Sequence, residues 1–220
     1  MTTCTTCGQA LPEDKLEAAG KVAVARALAA WRTDIYDPKQ GDKTADARRC
    51  CESITDMIRV GLGWTWEPEL YEGDGTFEWC GAFASLCWLA VKPGLRKLYF
   101  SSTYRLDRYA QYQSAFGEEN RGAGRLYAKL DENTKRAPFA PRAGDILTIG
   151  PVGTGYGKHI CLVESFDDVA NVFHTIEGNG TGLGPNGERQ QGVVKGVRPI
   201  GGAGVWHARR LIRPSLGDLA

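Results

Sequence analysis

Apolar positions fall at helical spacing over the first sixty residues and at alternate positions after Pro141, so the chain is expected to lead with helices and finish with a sheet. Residues 13–32, EDKLEAAGKVAVARALAAWR, are rich in Ala and other good helix formers, with Leu16, Ala19, Ala23, Leu28 and Trp31 broadly on one side. The segment from Asp34 to Asp42, carrying Pro38 and Gly41, reads as a loop, and Thr44 fits the cap of a second helix running to about Val60. A Gly-rich stretch from Gly61 to Gly75, with Trp64 and Trp66 embedded in it, leads into FEWCGAFASLCWLAV at residues 77–91. There a helix starting near Cys80 would place Cys80, Phe83, Ala84, Cys87, Trp88 and Val91 on one face. Residues 101–116 carry the pattern of a further helix. Beyond Pro141 the pieces GDILTI, HICLVESF, NVFHTIEG and GVWHARRLI are short, β-branched and bounded by Gly or Asp, as antiparallel strands are. Helices followed by strands indicate an α+β domain with a helix packed on one face of an antiparallel sheet.

Composition narrows the partners. The 220 residues are 42% hydrophobic and 24% charged, an ordinary globular balance with enough chain for one sizeable core. With 27 Lys and Arg against 26 Asp and Glu, the net charge of +1 gives no reason to expect nucleic acid or an acidic membrane surface as partner. No stretch approaches the roughly 20 apolar residues of a membrane-spanning helix, so no membrane insertion is expected. Met1 to Gln9 lack the basic-then-apolar order of a secretory signal. The expectation is a product made in the cytoplasm that needs release or injection, and hence a delivery partner, to reach any substrate outside. Seven cysteines are an odd count, and reduced thiols are expected, most of them small buried residues.

One thiol stands apart. A cysteine attacks a carbonyl only as thiolate, so it needs surroundings that bring its pKa below about 8.5, typically a helix N-terminus and a histidine. Cys80 would sit at such a terminus, where free N–H groups could also hold the oxyanion of a tetrahedral intermediate. His159 opens the strand HICLVES, and Glu177 ends TIEGN eighteen residues later. In an antiparallel pair the start of one strand lies beside the end of the next, which brings Glu177 near His159. Glu177 or Asn179 could then bond the far ring nitrogen and fix its tautomer. Trp64, Trp66, Trp79 and Tyr156 are candidates for the walls of a substrate groove.

In this order EWCGAFASLCW, RAGDILTIG, HICLVES and IEGNG resemble the motifs of the CHAP family, the cysteine, histidine-dependent amidohydrolase/peptidases of the papain-like NlpC-type superfamily found in phage endolysins and wall hydrolases. The likeness spans about residues 60–213. It implies a papain-like fold in which a nucleophile-bearing helix packs on an antiparallel sheet, and a Cys, His, Glu and Asn quartet at Cys80, His159, Glu177 and Asn179. It further implies cleavage of peptidoglycan amide bonds, by an amidase or a peptide-stem endopeptidase, without metal or other cofactor. Trp79 stands where many members have Gln, which leaves the second oxyanion donor unidentified. The expected organisation is a flexible terminus over 1–12, a helical extension over 13–60 and a catalytic domain over 61–220. A monomer is expected, serving as an endolysin or as a delivered antibacterial toxin, for which an immunity protein would be a further partner. The alternatives are a catalytically silent CHAP-like binding or phage tail module, and an acyltransferase of similar layout.

Other features carry plainer readings. Cys4 and Cys7 form one CxxC, two ligands where a structural zinc needs four, so no metal is expected there. Cys50, Cys51, Cys87 and Cys161 read as buried apolar residues, and His174 and His207 as structural. GLGPNG at 182–187 contains Pro185 and reads as a loop, and GTGYGK at 153–158 lacks the spacing of a phosphate loop.

Overall fold

The computed structural model describes residues 12–63, 71, 73, 78–91, 126–130, 133–137, 139–151, 157–201 and 206–214. Among these, helices α1 (Pro12–Arg32), α2 (Ala45–Leu62) and α3 (Cys80–Leu89) precede strands β1 (Leu126–Lys129), β2 (Ile146–Gly150), β3 (His159–Asp167), β4 (Val172–Leu183), β5 (Arg189–Pro199) and β6 (His207–Arg213). The expected α+β class is what the chain forms. The helix expected over 101–116 lies outside the described residues, as do Trp64, Trp66, Tyr156 and the Cys4/Cys7 pair.

Local chemistry sets the helix ends. Thr44 Oγ1 accepts the Ala47 N–H at 3.2 Å and starts α2, and Gly63 closes it in the left-handed conformation with its N–H on Val60 O. The first helix begins on Pro12, whose fixed φ suits a first turn and whose missing N–H would have had no partner there. α3 differs from the expectation of one apolar face, because Cys80 to Ser85, Cys87 and Trp88 are all buried. A helix apolar all round is one enclosed on every side, and α3 is packed between α1, α2, β3 and β4.

The six strands run in the order β1-β6-β2-β3-β4-β5, and every pairing is antiparallel. Side chains alternate between the two faces. Ile146, Ile160, Leu162, Ile176, Val193 and Ile212 join Ala23, Ile54, Phe83 and Trp88 of the three helices in one core. Leu147, Ile149, Cys161, Val163, Phe173 and Leu211 form a second cluster with Leu130 and Ile200, against which Phe139 packs. The helices of the 13–60 segment therefore share the core that carries α3.

Two strands extend the sequence reading. β5, RQQGVVKGVRP, looks broken by Gly192 and Gly196, yet it pairs with β4 along most of its length. β4 does not stop at Glu177 but continues to Leu183 after a register shift between Glu177 and Gly180. GLGPNG is accordingly the tip of the β4–β5 hairpin, where the Gly184 N–H bonds Glu188 O at 2.8 Å.

Candidate active site

Three elements meet at the ends of the strands. Cys80 is the first residue of α3, and Trp79 before it provides no side-chain cap, so the first-turn N–H groups are not consumed by a capping oxygen. His159 is the first residue of β3, and its Nε2 lies 3.1 Å from Glu177 Oε2 on β4. The imidazole is close enough to the Cys80 thiol to bring its pKa down. Cys80, His159 and Glu177 are thus brought together from three separated segments.

Sequence reasoning missed the residue that holds the carboxylate. Arg198 on β5 donates from Nε to Glu177 Oε1 at 2.8 Å and from Nη2 to Oε2 at 2.6 Å, while the Thr175 hydroxyl donates to Oε1 at 2.5 Å. A planar guanidinium with two parallel bonds fixes both the position and the plane of a carboxylate. Space for this contact comes from Gly196, where a Cβ would stand 2.3 Å from Glu177 Oε1 and 2.9 Å from Thr175 Oγ1. The signal was present in GVR at the end of β5, a glycine two residues before a cation on the same strand face.

The electrostatics follow from burial and these partners. Burial pushes the Cys80 thiol up, but the hydrogen bond and charge of His159, with the backbone N–H of Ile160, bring it below the usual thiol value. Burial also works against the His159 cation, and Cys161, Cys80 and Glu177 around the ring more than offset it, so His159 titrates well above the usual value. Glu177 is fully buried, which would raise its carboxyl, yet the bonds from His159 and Arg198 hold it well below the carboxylate range. The arrangement favours a thiolate beside an imidazolium whose charge is balanced by Glu177.

Cys161 is buried in the second core cluster, as expected, two residues from His159 on β3, and its thiol is pushed up to about 12 by burial and by the Glu177 charge. A thiol held that high stays protonated. The ligand atoms of His159, Cys161 and Glu177 lie within 4.8 Å of one another. A cation there would displace bonds that Glu177 already makes to His159, Thr175 and Arg198. Cys50, Cys51 and Cys87 are buried on the helices, as expected.

A cavity of about 460 Å³ opens over the pair, bounded by Glu78, Cys80, Ile149, Lys158, His159 and Glu177, and also by Asn179, Gly180, Thr181, Arg189, Arg198 and Trp206. Asn179 lies in its wall with φ +55°, at the register shift of β4, and its Oδ1 is buried with no hydrogen-bond partner. It does not bond the ring of His159; Glu177 does. Trp79, expected in a groove wall, is fully buried in the core, edge-on to Phe83 at 6.4 Å and against Gly178. Among the described residues the aromatic lining the cavity is Trp206, 40% exposed just before β6. His174 and His207 do not line the cavity, and His207 Nε2 lies 2.9 Å from Arg209 Nη1.

No family model and no curated protein matches the chain. Two solved structures are similar to it at a remote level. One is the crystal structure of Ly7917 with the hydrolyzing product of MDP, at 17% identity over 74% of this chain with a TM-score of 0.31. The other is the crystal structure of Ly7917, at 19% identity over 87% of this chain with a TM-score of 0.29. In both comparisons the chain spans 62% of the other protein's length.

Proposed function

We propose that the protein is a cysteine-dependent amidohydrolase of the CHAP type that cleaves amide bonds of peptidoglycan. The observation that carries this reading is the sequence of contacts from Cys80 to His159 to Glu177, closed by Arg198. A merely structural cysteine has no use for a histidine oriented by a buried, doubly clamped carboxylate. The reading also draws on the motif order around Cys80, His159 and Glu177.

In the reaction the Cys80 thiolate attacks the amide carbonyl carbon. The first-turn N–H groups of α3 face the oxyanion that forms. His159 gives its proton to the leaving nitrogen, the C–N bond breaks, and a thioester remains on Cys80. Water then enters, loses a proton to His159 and attacks the thioester. The acid departs, and the thiolate and imidazolium are restored. Glu177 holds the ring in one tautomer and balances its charge throughout. Asn179 is left to contact substrate. Because the wall lies outside the cytoplasm, release or injection of the protein belongs to the same proposal.

The test is turbidity loss and new amino groups from purified peptidoglycan, under reducing conditions with a chelator present. The native protein is expected to act and Cys80→Ser to lose at least about a thousandfold in rate. Activity that persists in Cys80→Ser, or that the chelator abolishes, would overturn the thiol mechanism. A native protein inert on several wall types would favour a binding module instead.

A further inference from the structure

The cavity holds more positive charge than the reaction uses. Arg198 and Glu177 neutralise each other at its base. Lys158 and Arg189 also line it, both exposed, and among the described residues neither has an acidic partner. Among the described residues bounding the cavity Glu78 is the remaining acidic one, and their charges sum to one positive charge. The sheet order fixes how these groups are spread. Trp206 precedes β6, Lys158 precedes β3, and Arg189 opens β5, so the cavity crosses the sheet from an aromatic on one side to a guanidinium on the other, with Cys80 and His159 between. Asn179 lines the same wall, its Oδ1 buried without a hydrogen-bond partner among the described residues.

We infer that this cavity selects stem peptides carrying a free carboxylate near the bond that is cut, with Arg189 and Lys158 as the groups that read it. A guanidinium and an ammonium in a concave site, without an acidic partner among the described residues, attract an anion and lose that attraction when the anion becomes a neutral amide of the same shape. The carboxamide keeps the size and planarity of the carboxylate, so the discrimination is one of charge. The inference rests on the proposed wall hydrolysis and adds to it a substrate class, stems with unamidated acidic residues.

The experiment compares purified peptidoglycan with the same material after its carboxyl groups are converted to amides by carbodiimide and ammonia. Native protein is expected to cut the untreated wall about tenfold more efficiently in kcat/KM, the size of one lost charged hydrogen bond. Arg189→Gln and Lys158→Gln should each reduce that ratio, and the double variant should bring it to about one. Equal cutting of both walls by the native protein, or a preference retained by the double variant, would overturn the inference and leave the hydrolase reading standing. Failure to cut either wall would remove both together.

Discussion

At Cys80 two effects of opposite sign compete, burial disfavouring the thiolate and the His159 partner favouring it, and the second prevails. At His159 burial is again overcome, here in favour of the cation. The pair is therefore ionised between the lowered value of the thiol and the raised value of the imidazole. Below that window Cys80 takes up a proton and cannot attack; above it His159 loses the proton that the leaving amine needs. A bell-shaped pH profile of kcat/KM is expected, its acid limb set by the lowered thiol and its alkaline limb by the raised imidazole. Glu177→Gln removes one of the charges that raise His159, so the alkaline limb should move to lower pH and the rate should fall about a hundredfold or more. An alkaline limb that stays in place would show that Glu177 does not act through His159. Cys80 and His159 were legible in the sequence because each opens an element that its neighbours mark, and Glu177 followed from the antiparallel pairing although it lies inside β4. Arg198 was not, since a cation in a strand looks like a solvated group until the cross-strand register is known.

Elements bring the site together through close backbone contacts. Gly61 on α2 lies so near α3 that a Cβ there would stand 2.1 Å from the Ala82 carbonyl oxygen, two residues from the nucleophile. Gly61→Ala must push the two helices apart, which costs about 1–3 kcal/mol. The melting temperature should drop by about 2–12 °C at this chain length, and wall hydrolysis should fall further than stability explains, because α3 carries Cys80 away from His159. An unchanged melting temperature would mean that α2 does not fix α3. At this scale α1, α2 and the start of α3 were legible from spacing, cap and pattern. The strands β2, β3 and β6 were also legible, each a short apolar run between turn residues. β5 was hidden because its glycines, which read as breakers, serve neighbours instead: Gly192 bridges to Tyr36, and Gly196 clears room for Glu177. Beyond Glu177, β4 was hidden by GNGTG, whose composition is that of a loop although its backbone stays paired to β5.

Across the whole molecule the sheet has two covered faces, one under the three helices and one under the chain around Leu130, Phe139 and Ile200. Arg213 fastens the second. Its guanidinium donates to both oxygens of Asp145 at 2.8 Å and to Ala140 O at 2.6 Å, and it stacks over Phe139 at 5.1 Å. Burial pushes the Asp145 carboxyl up even with this partner present. Arg213→Met would leave the buried Asp145 carboxylate without its ion-pair partner, keeping the Arg142 N–H at 2.8 Å, a loss of about 3 kcal/mol near neutral pH and about 6–12 °C in melting temperature. The pH dependence has a definite sign. A carboxyl whose folded value exceeds its unfolded value favours the fold when protonated, and that stability is lost as pH rises from the unfolded value of 3.8 through the folded one. Arg213→Met should therefore be least harmful near about pH 4 and most harmful well above it. Adding Asp145→Asn should recover much of the loss at neutral pH, because it removes the stranded charge. Thermal unfolding of the single and double variants across pH measures all of this. A deficit in Arg213→Met that is the same at every pH, or one that Asp145→Asn leaves unrelieved, would locate the contribution of Arg213 in its packing on Phe139 rather than in its charge.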